Sequence, residues 1–376
     1  MDKYAQTLAD LQQNIGSNDF KGYDPYDVLK SPLPFQWLGK WGPILAIQAT
    51  KRSPVNLRSL LGIPKGENPK GIGLLLNAYS QMSDPDEELL KKLFERLLDL
   101  RTKDATGYAW GYDFPWASPI KFLPAWSPTI VVTGFIAQGI FAYYKITKDP
   151  MAMEVLEGIS AFMLSLPTTE NESGICFSYS STMQDICFNA SMLGAEHFAR
   201  MYSLTMDERS KELALKATSF TIQHQLENGA WPYSLNKEGE ARMQVDFHQG
   251  FVICSLLEVI EHLKGVPEEW NKALTRGVEF YRREQFTEEG RSLWRWPKKW
   301  PIDIHHQAQG IITFSRLGNV EFAQRIADWT IDNMCGNDGS FYYRVHRWGK
   351  DRSRYMRWGQ AWMALALAEL INSRAK

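Results

Sequence analysis

Paired cysteine is the first thing this chain of 376 residues lacks. Its four cysteines, Cys176, Cys187, Cys254 and Cys335, form no CxxC pair, so neither a disulfide framework nor a zinc ribbon is expected. Surplus charge is also missing. With 42 basic against 43 acidic side chains the net charge is −1, which leaves no general pull toward nucleic acid or anionic lipid; only a local patch could supply one. No nucleic-acid partner is expected. The opening MDKYAQTLADLQQNIG lacks the continuous apolar core of a secretory signal, and no stretch reads as long enough to span a bilayer. A cytoplasmic protein without a transmembrane segment is the expectation. Aromatic side chains, by contrast, make up 13% of the chain, far from the composition of disorder.

What the sequence has is a repeat. Helix-start signals, such as Asp84-Pro85-Asp86-Glu87-Glu88 and Asp149-Pro150, open amphipathic stretches. Each stretch is followed by a glycine and aromatic residues: Gly107-Tyr-Ala-Trp110, Gly174-Ile-Cys-Phe177, Gly229-Ala-Trp231, Gly290-Arg-Ser-Leu-Trp294-Arg-Trp296 and Gly339-Ser-Phe341. A second glycine, at Gly134, Gly194, Gly250, Gly310 and Gly359, follows 27, 20, 21, 20 and 20 residues later inside a more apolar helix. An earlier pair over about 41–52 and 69–81 brings the hairpins to six. Amphipathic outer and apolar inner helices bury every apolar face by closing into a double ring. The spacing therefore predicts a single all-α (α/α)6 toroid over 1–376, with 1–40 as an N-terminal helical or irregular extension. Inner-to-outer connections such as Lys264-Gly-Val are short, whereas outer-to-inner ones run to about 20 residues against a usual loop of about 4–6. The long loops share one face with the inner-helix N-termini.

That face carries the candidate site. Several inner-helix N-termini pointing at one cavity favour an anion. Asp246, Phe247, His248 and Asp303, Ile304, His305, His306 start two inner helices. Each Asp can be a helix cap, or each can orient an imidazole for proton transfer. We take His248 and His305 as the base and acid candidates, with Tyr233 or Tyr355 as a second acid or base. Arg354 and Arg357 are the carboxylate-clamp candidates, and Trp231, Trp296, Trp358, His306, Asp246, Asp303 and Asn189 the further substrate-binding candidates. No cofactor is required. The alternative is Zn²⁺ on Asp185, Cys187 and His248, an arrangement that resembles the site of protein prenyltransferase β subunits and points to polyprenyl-diphosphate chemistry. A non-catalytic glycan-binding scaffold is a third possibility.

Gln225-Leu-Glu-Asn-Gly229-Ala-Trp231 resembles the Q-x3-G-x-W repeat of squalene cyclases, which share the toroid. The Asp-x-Asp-Asp and Asp-Asp-x-x-Asp motifs of terpene cyclases are absent, which disfavours their chemistry. Gly22-Tyr-Asp-Pro-Tyr-Asp27, Lys51-Arg-Ser-Pro-Val-Asn-Leu-Arg58, Asn68-Pro-Lys-Gly71, Asp246-Phe-His-Gln-Gly250 and Pro301-Ile-Asp-Ile-His305 resemble an uncharacterised bacterial family associated with capsule, exopolysaccharide and O-antigen synthesis. The resemblance implies a role in surface polysaccharide and brings no catalytic residues with it. The leading expectation is an enzyme of epimerase or lyase type, acting by proton abstraction on an acidic, uronate-type sugar presented on a lipid-linked or nucleotide-linked intermediate.

Overall fold

The computed structural model describes residues 2–119 and 121–375. Among them are thirteen α-helices: α1 Lys3–Ser17, α2 Trp41–Arg52, α3 Pro69–Ser80, α4 Glu87–Asp99, α5 Ile130–Thr147, α6 Pro150–Leu164, α7 Phe188–Thr205, α8 Glu208–Gln223, α9 His248–Leu263, α10 Glu268–Gln285, α11 Ile304–Arg316, α12 Val320–Met334 and α13 Trp362–Ala375. The start signals act as expected. Asp86, Asp149 and Asp207 accept hydrogen bonds from first-turn amides of α4, α6 and α8.

Helices α3, α5, α7, α9, α11 and α13 each pack on the next, and α13 returns to α3. They form a closed inner ring. The chain is an (α/α)6 toroid. The inner helices are buried nearly all round, α5 included. By length and composition α5 could cross a membrane, contrary to the expectation that no stretch is long enough, but here it is a member of the inner ring with its apolar surface covered by protein.

The first hairpin differs from the expected one. Trp41–Arg52 is not an outer helix; it lies in a segment that roofs the mouth of the ring. The sixth outer helix is α1, whose residues fall in the expected extension. Lys3 Nζ pairs with Asp328 and Asp332 of α12 at 3.2 and 3.1 Å. Just beyond its other end, Asp19 pairs with Arg96 of α4, which also holds Glu67 at 3.0 Å. The roofing segment separates α1 from its inner helix α3, which starts only at Pro69, so the spacing of the other units does not align the two.

One joint recurs around the ring. In five of the six units a polar side chain of the inner helix, or of the turn that runs into it, accepts a hydrogen bond from the backbone N–H of the glycine-aromatic turn before it: Thr133 from Trp110 (3.1 Å), Ser191 from Phe177 (3.1 Å), Gln249 from Trp231 (2.8 Å), Gln307 from Ser292 (2.5 Å) and Gln360 from Phe341 (2.8 Å). The glycine then lies against the backbone of an outer helix. A Cβ on Gly229, whose φ is +92°, would stand 2.3 Å from the carbonyl oxygen of Arg276 in α10, and one on Gly339 would press on Asp10 of α1. Strained backbone and a backbone clash together cost about 2 kcal/mol or more. Gly229→Ala is therefore expected to lower the urea midpoint clearly, whereas an alanine at Gly239, which has open space around it, moves it less.

Candidate active site

The N-terminal ends of the inner helices open into one cavity of about 620 Å³. Every inner helix contributes: Lys70 from α3, Val131 from α5, Asn189 from α7, His248 from α9, His305 and His306 from α11, and Arg357 with Trp358 from the π-helical turn Met356–Ala361 that runs into α13. Ile44, Ile47, Gln48 and Lys51 of α2 line it from the roof. Seven cationic side chains, Lys51, Lys70, Lys121, Arg242, Arg295, Arg344 and Arg357, face three carboxylates, Asp185, Asp246 and Asp303. With helix dipoles of the same sign, the chamber favours an anion.

On one wall His248 Nδ1 meets Asp246 Oδ1 at 2.5 Å, and the same oxygen accepts from the His248 amide at 3.2 Å. Asp246 Oδ2 accepts from Gln244 (3.1 Å) and pairs with Arg295 (3.2 Å). Burial opposes the charge on Asp246, but His248 and then Arg295 outweigh it and bring its carboxyl down to about 2. Asp246 is thus at once a helix-start acceptor and an imidazole orienter. With Nδ1 fixed, Nε2 is the nitrogen left for chemistry.

His305 lies across Phe247, whose ring stacks on both imidazoles, 4.3 Å from His248 and 4.2 Å from His305. Trp358 and Trp362 flank His305 at 4.5 Å each. Among the described residues neither ring nitrogen of His305 has a hydrogen-bond partner. Burial, then Lys70 and Arg357, push its pKa well below the ordinary value, so this imidazole is neutral. His306, beside Tyr281, is lowered by burial to about 4.

Two side chains outside the predicted set complete the chamber. Lys70, in the first turn of α3, is buried with its ammonium 3.9 Å from the centre of the Phe135 ring. No carboxylate lies within ion-pair distance of it among the described residues. Burial, then Arg357, lower its pKa well below the usual range. Arg344 donates through Nε to Asp303 Oδ2 (2.8 Å), while its buried Nη2 has no partner among the described residues. Asp303 also accepts from Trp358 Nε1 (2.8 Å) and from the His305 amide (3.1 Å). Buried polar groups without partners are rare. Here His305, His306 and Arg344 carry such groups at one cavity, beside the Lys70 ammonium.

Of the predicted residues, Tyr233, His248, His305, His306, Asp246, Asp303, Asn189, Arg357 and Trp358 line this chamber; four lie elsewhere. Trp231 turns outward because Gln249 holds its backbone, and its indole donates to Thr221 (3.1 Å) behind the inner ring. Trp296 is half exposed against the outer helix α10, bonded to Glu284 and packed on Phe280. Tyr355 is buried behind the wall, accepting from Arg58 at 2.7 Å. Arg354 reaches outward to Asp338 (3.2 Å). None of the four can touch a guest in the cavity, and Arg354 is not a clamp. Arg357 faces the cavity, but Nε and Nη2 are committed to Asp24 at 2.7 and 2.8 Å.

The alternative zinc ligands also line the cavity without forming a ligand set. Cys187 Sγ donates to Asn189 (3.3 Å), Asp185 accepts from the Tyr179 amide (2.7 Å), and His248 Nδ1 is held by Asp246. Among the described residues no three His, Cys, Asp or Glu side chains gather around one point. Burial raises the Cys187 thiol to about 12. Tyr233 is half-buried; its neighbour Cys187 and then desolvation push its phenol well above its ordinary value, and it meets His248 edge-on at 4.9 Å.

The fold resembles solved carbohydrate enzymes. Cellobiose 2-epimerase from Bacillus thermoamylovorans superposes with a TM-score of 0.67 at 11% identity, covering 82% of this chain and 88% of that one. A family 76 α-mannanase from Bacteroides thetaiotaomicron gives 0.64 at 15% identity over 82% and 87%. A D-mannose isomerase gives 0.62 at 11% identity over 82% and 87%. No family model matches the chain and no curated protein matches its sequence. At these identities the likeness is one of fold.

The Asp246 carboxylate has a direct test. Asp246→Asn preserves shape but removes the charge that fixes the His248 tautomer, and kcat is expected to fall about 100-fold or more with the thermal midpoint little changed.

Proposed function

We propose that this protein is a carbohydrate-processing enzyme that removes the proton beside the carboxylate of an acidic sugar, as an epimerase or lyase does. The observation that carries the reading is the Asp246-oriented His248 facing, across Phe247, an unpartnered neutral imidazole in a cation-rich cavity. His248 Nε2 takes the proton, and Asp246 stabilises the imidazolium that forms. The neutral His305 N–H donates to the oxygen on which charge develops; a solvent proton then reaches the opposite face of the carbon to give the epimer, or the oxygen substituent on the neighbouring carbon leaves with the proton held by His248 to give the unsaturated sugar. Lys70 and Arg344 Nη2 meet the sugar carboxylate, each gaining the partner it lacks. Arg357, neutralised by Asp24, adds shape more than charge.

The solved structures reported above support the sugar class, since a 2-epimerase and an isomerase are built on the same toroid. The segments that resemble the surface-polysaccharide family support a precursor of such a polymer as the substrate. The test is incubation with paired oligosaccharides differing only in uronate against neutral hexose, followed by NMR. Epimerised or unsaturated product from the uronate member alone is expected. Saturable binding with no change in any ligand would make the protein a glycan-binding module and reject the reading.

A further inference from the structure

The segment that roofs the cavity has a second face. Residues 28–66 contain no acidic side chain and six basic ones, Lys30, Lys40, Lys51, Arg52, Arg58 and Lys65, in a chain whose charges otherwise balance. Half of the sixteen large apolar side chains that stand exposed among the described residues lie within 33–60. Trp37, Leu60 and Leu38 are 86%, 82% and 74% exposed, and Trp41, Leu45 and Val55 follow. The turn Phe35–Leu38, helix α2 and the stretch around Leu61 share a small core of their own, built on Val28, Leu29, Ile44, Ile47, Ile63 and Ala117 and separate from that of the ring. The segment is therefore a folded flap. Its lower apolar side is satisfied, and its upper side presents tryptophan and leucine to solvent beside the exposed Lys40 and Arg52.

We infer that this flap docks the protein on an anionic membrane surface. Exposed apolar patches on this scale mark an interaction site. Tryptophan and leucine next to unpaired cations, in a segment that itself carries no carboxylate to repel phosphate headgroups, form the pattern of an element lying in the plane of a bilayer interface. The cations add attraction to an anionic leaflet and none to a neutral one. The local charge sets the occupant: a protein partner would have to supply an acidic and apolar face together, whereas an anionic bilayer supplies both. Because Ile44, Ile47 and Lys51 on the other side of the same helix line the cavity, docking would bring the cavity mouth to the membrane. The inference rests on this surface alone and stands apart from the proposed chemistry.

The test is co-sedimentation of the full chain with phosphatidylcholine vesicles, with and without about one-third phosphatidylglycerol. Binding to the anionic vesicles only, weakened by salt and accompanied by a blue shift of tryptophan emission, is expected. The triple variant Trp37→Ser, Trp41→Ser, Leu60→Ser should lose at least about tenfold in partitioning; its thermal midpoint should hold, since these side chains are exposed. Lys40→Glu with Arg52→Glu should abolish the preference for anionic lipid. No binding to anionic vesicles, or equal binding by the triple variant, would overturn the inference. So would a dimer in solution that the triple variant dissociates, which would make the flap a contact between copies of this chain.

Discussion

Replacing His248 by alanine is expected to lower kcat on the acidic sugar by about 100- to 10,000-fold, the usual contribution of a positioned general base. KM should change far less, because the anion is held by Lys70 and Arg344 and not by the imidazole. The side chain is partly exposed to the cavity, and among the described residues its Nε2 has no hydrogen-bond partner, so the loss of activity should come without loss of fold. The companion variant His305→Ala should also reduce kcat, but it opens a gap among Phe247, Trp358 and Trp362. His305→Gln, which keeps an N–H donor, is the better comparison. Steady-state kinetics of the four proteins, with circular dichroism as the control, decide the matter. A His248→Ala enzyme turning over at the wild-type rate would remove the proposed base.

Asp24→Ala should be the most destabilising of these substitutions. Asp24 accepts both bonds from the buried Arg357 guanidinium, and the Asp24 carbonyl oxygen accepts from Arg58 Nε at 2.9 Å, which also pairs with buried Asp27 at 2.6 Å. Removing one member of a buried pair leaves the other charge uncompensated, at a cost of about 3–5 kcal/mol. The same change frees Arg357 in the cavity floor. Urea unfolding should show a large fall in midpoint, and the double variant Asp24→Ala, Arg357→Met should recover much of it. Failure of the double variant to recover would mean that Asp24 stabilises the fold by some route other than this pair.

The ring was legible because its signals are local. A glycine where the turn meets an outer helix, a polar side chain that grips the turn and a short connection all lie within a few tens of residues, and they recur. The inner-helix starts were legible for the same reason, so His248, His305, Asp246 and Asp303 were found at the cavity wall. What escaped depends on contacts across the ring closure. Asp24 and Arg357 are 333 positions apart, and nothing local links them. Lys70 reads as an ordinary lysine in a first turn until the aromatic rings of α5, α9 and α13 close over it. Side-chain direction was the other blind spot. Trp231, in a turn, and Trp358, at an inner-helix start, were both placed at the cavity, yet Gln249 holds one outward while Asp303 draws the other in. The roofing flap replaced an expected outer helix because Trp41–Arg52 is apolar on two faces, a pattern shared by ring helices and by a lid with solvent on one side.

The central claim is that the cavity breaks a C–H bond next to a carboxylate, and solvent isotope exchange tests it most directly. A uronate-bearing oligosaccharide incubated in D2O should lose the hydrogen at the carbon beside its carboxylate with the wild-type protein, replaced by one deuterium in an epimer or absent from an unsaturated product. With His248→Ala or Asp246→Asn it should keep that hydrogen, apart from loss at the background rate. Product formed with the substrate hydrogen retained at that carbon, or exchange that continues unchanged in both variants, would contradict the account.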